Sequence, residues 1–383
     1  MRSNSSTILD GTPDSVASRF LAPLRGAVAA VLSAADDARY FPKFAFLHHL
    51  VCCVFFQIKN LPSMRSVIRL LDIHDKQNPG SFAPPPKRTT FSDANRSRRR
   101  LKIIRRVFVE LVSRHTAVVP RKLAGFKNVC ALDSTLLHAV ASAWWASYRE
   151  KVNACKAHIL FDLAANIPRQ LVLTIGRVHD RVPFSQFLAK GWTYVVDRAY
   201  NDYRLFEHMT LSGIYFVTRM KTDASYTVTQ KLKVSRTARR KGVLSFSEVV
   251  LGQGSTKMST PLRLVAFRDD SGKLYDFLTN RTDLSPTTIA DLYHARWAIE
   301  IFFKWLKRTL RMERPLARSE EAAEMHTLMT LIVDILLKLL VKAATTLARH
   351  VPLRTLERVR ELFFHQLTRA VHRALIRSVS GTQ

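Results

Sequence analysis

The sequence predicts an α/β protein in which an all-α N-terminal region precedes a mixed β-sheet flanked by helices. Two observations carry this prediction. Apolar segments before residue 110 are long enough for buried helices, whereas from Phe126 onward short β-type runs alternate with helical segments. A third observation refines it: between residues 221 and 281, short strands are joined by polar loops, which indicates a β-rich insertion.

The composition is that of a folded and strongly basic protein. Its 383 residues include 60 Lys and Arg against 30 Asp and Glu, a formal net charge of +30, and 47% of them are hydrophobic. Such a charge is typical of proteins that bind nucleic acid, because docking on a polyanion releases counterions. Ribosomal and chromatin-type proteins share the charge but are usually shorter and less apolar, so the composition favours an enzyme of two or three domains.

Cysteine spacing and apolar runs argue against other classes of protein. The four cysteines show no C-x-x-C spacing, which favours reduced thiols in a cytosolic protein. No signal peptide is recognisable, and the apolar runs at 44–58 and 327–341 are too short to span a bilayer. The sequence therefore predicts a cytoplasmic protein that does not enter a membrane.

The N-terminal region is expected to be helical. Residues 1–39 are predicted to be poorly ordered or to form a short helix, and 40–110 an α-helical DNA-binding domain with helices at 41–60 and 64–71. This helix-turn-helix arrangement fits DNA reading and plain packing equally well. Seven of the eleven residues at 96–106 are basic, which favours a face that contacts phosphates. Its candidate DNA contacts are Arg98, Arg99 and Arg100.

The region after Phe126 contains two groups of predicted strands. The first group lies at 128–133, 157–163, 170–176, 193–197 and 214–219, with helices at 183–190 and 203–212. The second group lies at 226–229, 243–247, 262–267 and 274–279 and makes up the insertion at 221–281. Helices at 320–349 and 353–376 are expected to close the fold.

Residues 285–312 are predicted to form one long helix. Ser285 is a good N-cap, Pro286 suits the first helical position, and the next proline is Pro315. On a helical wheel, four polar residues fall within a stripe roughly 60° wide, beside an apolar stripe. The polar four are Tyr293, Arg296, Glu300 and Lys307. On its own this pattern also fits an amphipathic helix with an ion pair between Glu300 and Lys304.

Two aspartates upstream of this helix change its interpretation. Asp133 ends one apolar run and Asp197 ends another, so both carboxylates are expected at the carboxyl edge of the sheet. Each alone is more typical of a turn or cap. Together with Glu300 in a basic chain they form an Asp, Asp, Glu set, which suits two Mg²⁺ ions about 4 Å apart in phosphoryl transfer on DNA.

These motifs resemble the DDE transposases of bacterial insertion sequences, in the group named for insertion sequence four. The hallmark of that group is Y-x2-R-x3-E-x6-K, and Tyr293, Arg296, Glu300 and Lys307 meet all three spacings. The segments LDST around Asp133, VVDRAYNDYRLF around Asp197, YFVTR, and KAHILFD with a later His179–Asp180 pair are also similar to family blocks. The resemblance covers about residues 40–340.

The resemblance implies a ribonuclease H-like catalytic domain at 120–220 and 282–350, interrupted by the insertion and followed by a C-terminal helix at 351–383. It implies that Asp133, Asp197 and Glu300 are catalytic and hold two Mg²⁺ ions, with Mn²⁺ as a substitute. Tyr293, Arg296 and Lys307, with Arg198, would position DNA phosphates. The implied partners are double-stranded DNA, as terminal inverted repeats and as target, and a second copy in a homodimer on DNA at the bacterial nucleoid.

The implied activity is cut-and-paste transposition by metal-dependent cleavage and strand transfer. Two alternatives stay open: a catalytically inactive DNA-binding protein descended from a transposase, and a stand-alone metal-dependent nuclease. One departure from the family pattern is Ala199, where a glycine usually follows Asp-Arg. A positive φ at that position would strain the site.

Overall fold

A computed structural model describes residues 13–59, 61–77, 85–115, 126, 128–138, 147–149, 152–313 and 319–347. The chain divides into two compact units. The helical unit contains the described residues up to His115, those within Leu137–Cys155 and those from Trp305 onward. The sheet unit contains those within Thr116–Leu136 and Lys156–Lys304. The C-terminal helices predicted at 351–383 and 353–376 lie outside the described residues.

The described residues form twelve α-helices and ten β-strands. The helices are α1 (Pro13–Val31), α2 (Ala34–Tyr40), α3 (Phe46–Ile58), α4 (Met64–Gln77), α5 (Arg88–Arg96), α6 (Arg98–Arg114), α7 (Arg181–Phe184), α8 (Tyr203–Leu211), α9 (Arg236–Arg240), α10 (Pro286–Ala295), α11 (Trp297–Thr309) and α12 (Glu320–Leu347). The strands are β1 (Val129–His138), β2 (Ser147–Arg149), β3 (Val152–Asp162), β4 (Ile167–Ile175), β5 (Thr193–Val196), β6 (Tyr215–Arg219), β7 (Tyr226–Lys231), β8 (Val243–Leu251), β9 (Leu262–Arg268) and β10 (Leu274–Thr279).

The helical unit begins with α1, which is longer than the short helix predicted for the first residues. Phe20, Leu21, Leu24 and Ala27 are buried and recur at helical spacing, so α1 has an apolar face that packs against α6 and α12. No helix among the described residues has the length and apolar character needed to cross a membrane.

The sheet unit is organised by three neighbouring parallel strands. Within the sheet unit the strand order is β3-β1-β5-β6-β10-β9-β8-β7, and β4 pairs with β3 off this path. Strands β1, β5 and β6 run parallel, whereas β10 is antiparallel to β6. The four strands at 221–281 therefore extend the same sheet through the β6–β10 pair. They do not form a separate sheet, because β10 returns to pair with β6.

The two faces of this sheet are covered by different helices. Residues of even number on β1 and β5, such as Leu132 and Val196, belong to an apolar cluster with Phe206 of α8. Helix α10 packs on β5, β6 and β10, where the Tyr293 ring packs against Phe277 at 4.8 Å between centroids. Since Leu278, next to Phe277, joins the α8 cluster, α10 covers the opposite face.

The single long helix predicted at 285–312 is wrong: the structure has two helices, α10 and α11, separated at Arg296. The predicted start is confirmed, because the Ser285 side chain accepts a hydrogen bond from Thr288 N–H. The Arg296 N–H donates to Tyr293 O and the Ile299 N–H donates to Arg296 O, both three residues back. This local tightening, which contains neither Gly nor Pro, breaks the α-helical hydrogen-bond ladder.

Candidate active site

The strand register places Asp133 and Asp197 side by side. Strands β1 and β5 pair in parallel, with Ala131 opposite Val195. Asp133 lies two residues further along β1, and Asp197 lies two residues further along the chain, directly after β5. Both side chains therefore fall on the same face of the sheet. It is the face that α10 covers, opposite the α8 cluster.

The two aspartates are held in different ways. Asp197 follows β5 and caps a short 3-10 turn, since its carboxylate accepts a hydrogen bond from Ala199 N–H at 3.1 Å. The sequence predicts Asp133 at the end of a strand, but β1 continues to His138, so Asp133 lies within the strand. The apolar run ends at Leu132, but the strand does not, because the polar residues that follow also belong to β1.

Ala199 carries no backbone strain. The non-glycine residues with positive φ in the described part of the chain are Asn128, Asn166 and Arg311. Ala199 instead takes part in the 3-10 turn that Asp197 caps, a conformation open to any L-residue. The departure from glycine at this position is therefore compatible with the site.

Arg296 connects Glu300 to Asp133. Its guanidinium donates a hydrogen bond to Glu300 Oε1 at 2.5 Å, and its Nη1 lies 3.9 Å from Asp133 Oδ2. The Arg296 side chain is only 12% exposed, whereas Asp133 and Glu300 are 29% and 33% exposed. The break between α10 and α11 thus lies at the residue that joins the two carboxylates. Glu300 pairs with Arg296 four residues before it, where the amphipathic-helix interpretation paired it with Lys304.

Burial and neighbouring carboxylates set the charge state of Asp133. Burial raises the pKa of Asp133 to about 6, against the lowering effects of the Ser134 N–H and the Arg296 charge. The charges of Asp197 and Glu300 raise it further, so all three carboxylates interact electrostatically. Burial also raises the pKa of Tyr200, with contributions from the charges of Asp133 and Asp197.

Tyr293 is a buried side chain that lies next to Arg296. It is 7% exposed, its ring packs against Phe277, and the Arg296 guanidinium lies 5.7 Å from the ring centroid. Burial lowers the pKa of Arg296, but Tyr293, Glu300 and Asp133 raise it more, so the net shift is upward and Arg296 is fully charged.

The donor set of this site fits a hard divalent cation. The three side chains offer only carboxylate oxygens, the ligand type that Mg²⁺ and Mn²⁺ accept, and their mutual repulsion is relieved by a cation. Within the described residues, no three His, Cys, Asp or Glu side chains are already gathered closely enough to ligate one ion. Mg²⁺ is commonly held by one or two carboxylates plus water, so a closed cage is not required.

Comparison with known proteins assigns the family. The sequence model of the protein family described as the transposase DDE domain matches residues 124–334. This range contains all three carboxylates. The chain belongs to the DDE transposase family. The match confirms the family resemblance recognised from the motifs and assigns transposase function to the chain.

Individual relatives of this transposase agree with the assignment. A protein of Sinorhizobium fredii named as transposase y4zB is 24% identical over 69% of this chain and 74% of its own length. A protein of Geobacillus stearothermophilus named as a transposase for insertion sequence element IS5377 is 28% identical over 69% of this chain and 70% of its own.

A solved structure confirms the fold class. The cryo-EM structure of the piggyBac transposase synaptic complex with hairpin DNA covers 98% of this chain and 83% of that chain, with a TM-score of 0.51. Sequence identity is 10%, so the likeness concerns the fold alone. The mixed sheet flanked by helices is thus the ribonuclease H-like fold of DDE transposases.

Lys307 and Arg198 are two further residues that the sequence predicts to contact DNA. Lys307 belongs to the helical unit, where its Nζ lies 2.9 Å from Glu313 Oε1. Arg198 is exposed directly after Asp197. Its side chain is therefore accessible to a DNA phosphate beside the second aspartate.

The basic run on α6 divides into three groups in this transposase. Arg98 and Arg105 pair with Glu321 and Glu324 of α12 at 2.8 and 2.5 Å. Arg100 is 5% exposed, lies 4.1 Å from the Phe41 ring centroid and donates to Phe44 O. The prediction that Arg100 contacts DNA is therefore corrected: burial among aromatic rings removes its guanidinium from solvent.

The remaining basic residues of α6 are exposed. Arg99, Lys102 and Arg106 take part in no ion pair within the described residues, although the Arg99 guanidinium lies 4.6 Å from the Tyr40 ring centroid. Their spacing places all three within a stripe roughly 60° wide on the helix. Charge counting in the sequence did not separate them from their neighbours, because ion pairing with α12 depends on tertiary packing.

A polar group on the sheet was missed as a functional feature. Asp180 accepts hydrogen bonds from Ser134 Oγ at 2.9 Å and from Lys156 Nζ at 3.1 Å. His158 Nδ1 lies 3.7 Å from the same carboxylate. The signals were the KAHILFD segment and the His179–Asp180 pair, which resemble family blocks but carry no chemistry by themselves.

Proposed function

We propose that this chain is a cut-and-paste transposase that binds the ends of its element as a homodimer, cleaves them and joins them to target DNA. The observation that carries the proposal is the register of β1 and β5, which sets Asp133 beside Asp197 while Arg296 ties Glu300 to Asp133. The similar piggyBac transposase structure, a synaptic complex with hairpin DNA, supports DNA as the partner.

The proposed chemistry needs no side-chain nucleophile. Water attacks the phosphorus at the element end and the strand's 3′-hydroxyl leaves; that hydroxyl then attacks a target phosphodiester and displaces a target 3′-oxygen. Asp133, Asp197 and Glu300 would hold two divalent ions, Mg²⁺ or Mn²⁺. When bound, these ions would lower the pKa of the attacking water and stabilise the leaving oxygen.

The cationic side chains have separate tasks in this proposal. Arg296 holds the Glu300 carboxylate in place and keeps two negative groups close together in a half-buried site. Arg198, exposed beside Asp197, suits bidentate contact with a phosphate. Lys307 is proposed as a point-charge contact on the same helix as Glu300, after release from Glu313.

The test uses duplexes that carry the inverted repeats flanking the gene. We expect the wild-type chain to cut these ends with Mg²⁺ or Mn²⁺ and to produce joined molecules with a target plasmid. Light scattering of the DNA complex should give the mass of two chains. Binding without cleavage in any divalent metal would favour the inactive DNA-binding alternative, and cleavage without joined products would favour the nuclease.

A surface for DNA follows from the exposed stripe on α6. We propose that Arg99, Lys102 and Arg106 contact phosphates, because they are exposed and form no ion pair in the described part of the chain. Replacing all three by Gln should weaken binding to every duplex alike. The slope of log affinity against log salt should fall by about 0.9 for each phosphate that the variant no longer neutralises.

Arg100 supplies the matched control for this stripe. Since Arg100 is buried against Phe41 and Phe44, Arg100→Gln should lower the midpoint of thermal unfolding and leave the salt slope of the folded fraction unchanged. Arg99→Gln should reduce the salt slope and leave the midpoint of thermal unfolding unchanged. Equal salt slopes for wild type and the triple variant would mean that the α6 stripe is only a solvated surface.

A further inference from the structure

The consecutive residues Asp133 and Ser134 point to opposite faces of β1. Residues of a strand alternate between faces, so Ser134 shares the face of Leu132 and the α8 cluster. There its Oγ donates to Asp180 at 2.9 Å, while its N–H donates to Asp133 Oδ1 at 2.8 Å. Ser134 is thus bonded at once to the catalytic carboxylate and to a carboxylate behind the sheet.

Asp180 is itself fixed by β3. Lys156 Nζ donates to Asp180 at 3.1 Å and to Val178 O at 3.0 Å, which anchors the loop that carries Asp180. The side chains of Lys156 and Asp180 are 18% and 27% exposed, so this ion pair is shielded from water more than a surface pair. His158 is fully buried, and its Nε2 forms a hydrogen bond of 2.8 Å with Thr174 Oγ1 of β4. It is the last member of this polar group.

We propose that Asp180, held by Lys156, is a positioning residue that fixes the Asp133 carboxylate through Ser134. The inference rests on the proposed function, because it concerns how Asp133 is presented to a divalent cation. Partners that orient a ligating carboxylate typically change metal affinity or activity 10- to 100-fold when they are removed. Asp180 touches neither substrate nor metal in this role.

The test measures metal binding directly, apart from catalysis. We expect Asp180→Ala and Ser134→Ala each to weaken Mn²⁺ binding, followed by the electron paramagnetic resonance signal of free Mn²⁺, by about 10-fold or more. End binding in a gel shift should be unchanged. The double variant should be no worse than Asp180→Ala, because both changes break the same hydrogen bond.

Two further variants separate positioning from folding. Asp180→Asn keeps an oxygen acceptor for Ser134 and should restore Mn²⁺ affinity in part, whereas a purely structural role would move only the unfolding midpoint. The control, Asp283→Asn, neutralises a carboxylate that is 60% exposed and pairs with Arg281 in the same unit, and it should bind Mn²⁺ as the wild type does.

The outcomes distinguish the two proposals. A wild type that binds Mn²⁺ and cuts DNA, with Asp180→Ala and Ser134→Ala equal to it in Mn²⁺ affinity, would overturn the positioning role alone. A wild type that binds no Mn²⁺ would overturn the proposed metal-dependent function and the positioning role with it.

Discussion

Glu300→Gln is expected to abolish DNA end cleavage while end binding persists. The substitution keeps the shape of the side chain and its ability to accept a hydrogen bond from Arg296, but it removes the negative charge that a divalent cation needs. A metal contributes several kcal/mol of transition-state stabilisation, so the cleavage rate should fall by about three orders of magnitude or more. The rate is measured on labelled inverted-repeat DNA in Mg²⁺, beside a gel shift at the same salt.

The companion variants test whether the carboxylates act as a unit. Asp133→Asn and Asp197→Asn should each match the loss seen with Glu300→Gln, and combining them should add little. Asp291→Asn, which neutralises an exposed carboxylate on α10, is the control and should cleave normally. A Glu300→Gln variant that cuts as fast as the wild type would show that Glu300 is not the third ligand.

Strands β5 and β6 could be predicted from the sequence because each is a short apolar run bounded by turns. Predicted runs at 193–197 and 214–219 became β5 and β6 with shifts of one residue at an end. Their neighbours in the sheet could not be predicted, since a parallel pair joins residues about 64 positions apart, as Ala131 and Val195 are. Proximity of Asp133 to Asp197 therefore depended on the family resemblance until the register was known.

The errors in the prediction came from tertiary contacts. Charge counting treated the basic run on α6 as one surface, but Arg100 is buried against Phe41 and Phe44, and Arg98 and Arg105 pair with α12. The helical wheel continued through Arg296, although the hydrogen-bond ladder breaks there. A wheel extrapolates an ideal helix, so it could not show this break. Glu300 and Lys307 both lie on α11 and still share one face, and Lys307 also pairs with Glu313.

Acid is expected to destabilise the helical unit, because that unit buries neutral histidines. Burial lowers the pKa of His49 to about 3, helped by the charge of Arg100 and opposed by a hydrogen bond with Asn95. Burial likewise lowers the pKa of His326, which bonds Gln57 at 3.2 Å, to about 4. Both rings therefore stay neutral in the folded chain well below the pH at which an exposed histidine is protonated.

The sign of the effect follows from proton uptake. In the unfolded chain both histidines gain a proton as the pH falls through about 6.5, whereas the folded chain takes none up until about pH 4 or below. The free energy of unfolding therefore has its full value well above pH 6.5, where the histidines are neutral in both states, and it decreases as the pH falls toward 4. Each histidine contributes a slope of about 1.4 kcal/mol per pH unit, so together they remove about 4 kcal/mol at pH 5.

Urea unfolding followed by far-ultraviolet circular dichroism at pH 7.5, 6 and 5 measures this loss. His49→Gln and His326→Gln remove the titrating group while keeping polar atoms, so each should remove its own share of the pH dependence. A further share belongs to His48 and His158, because burial lowers the pKa of each to about 4. His208→Gln, at an exposed position on α8, should leave the dependence unchanged. If the histidine variants lose stability with acid as steeply as the wild type, the titrating groups are carboxylates whose ion pairs are broken by protonation. Because a domain's folding free energy is only about 5 to 15 kcal/mol, a loss of this size would remove a substantial part of the stability of the helical unit.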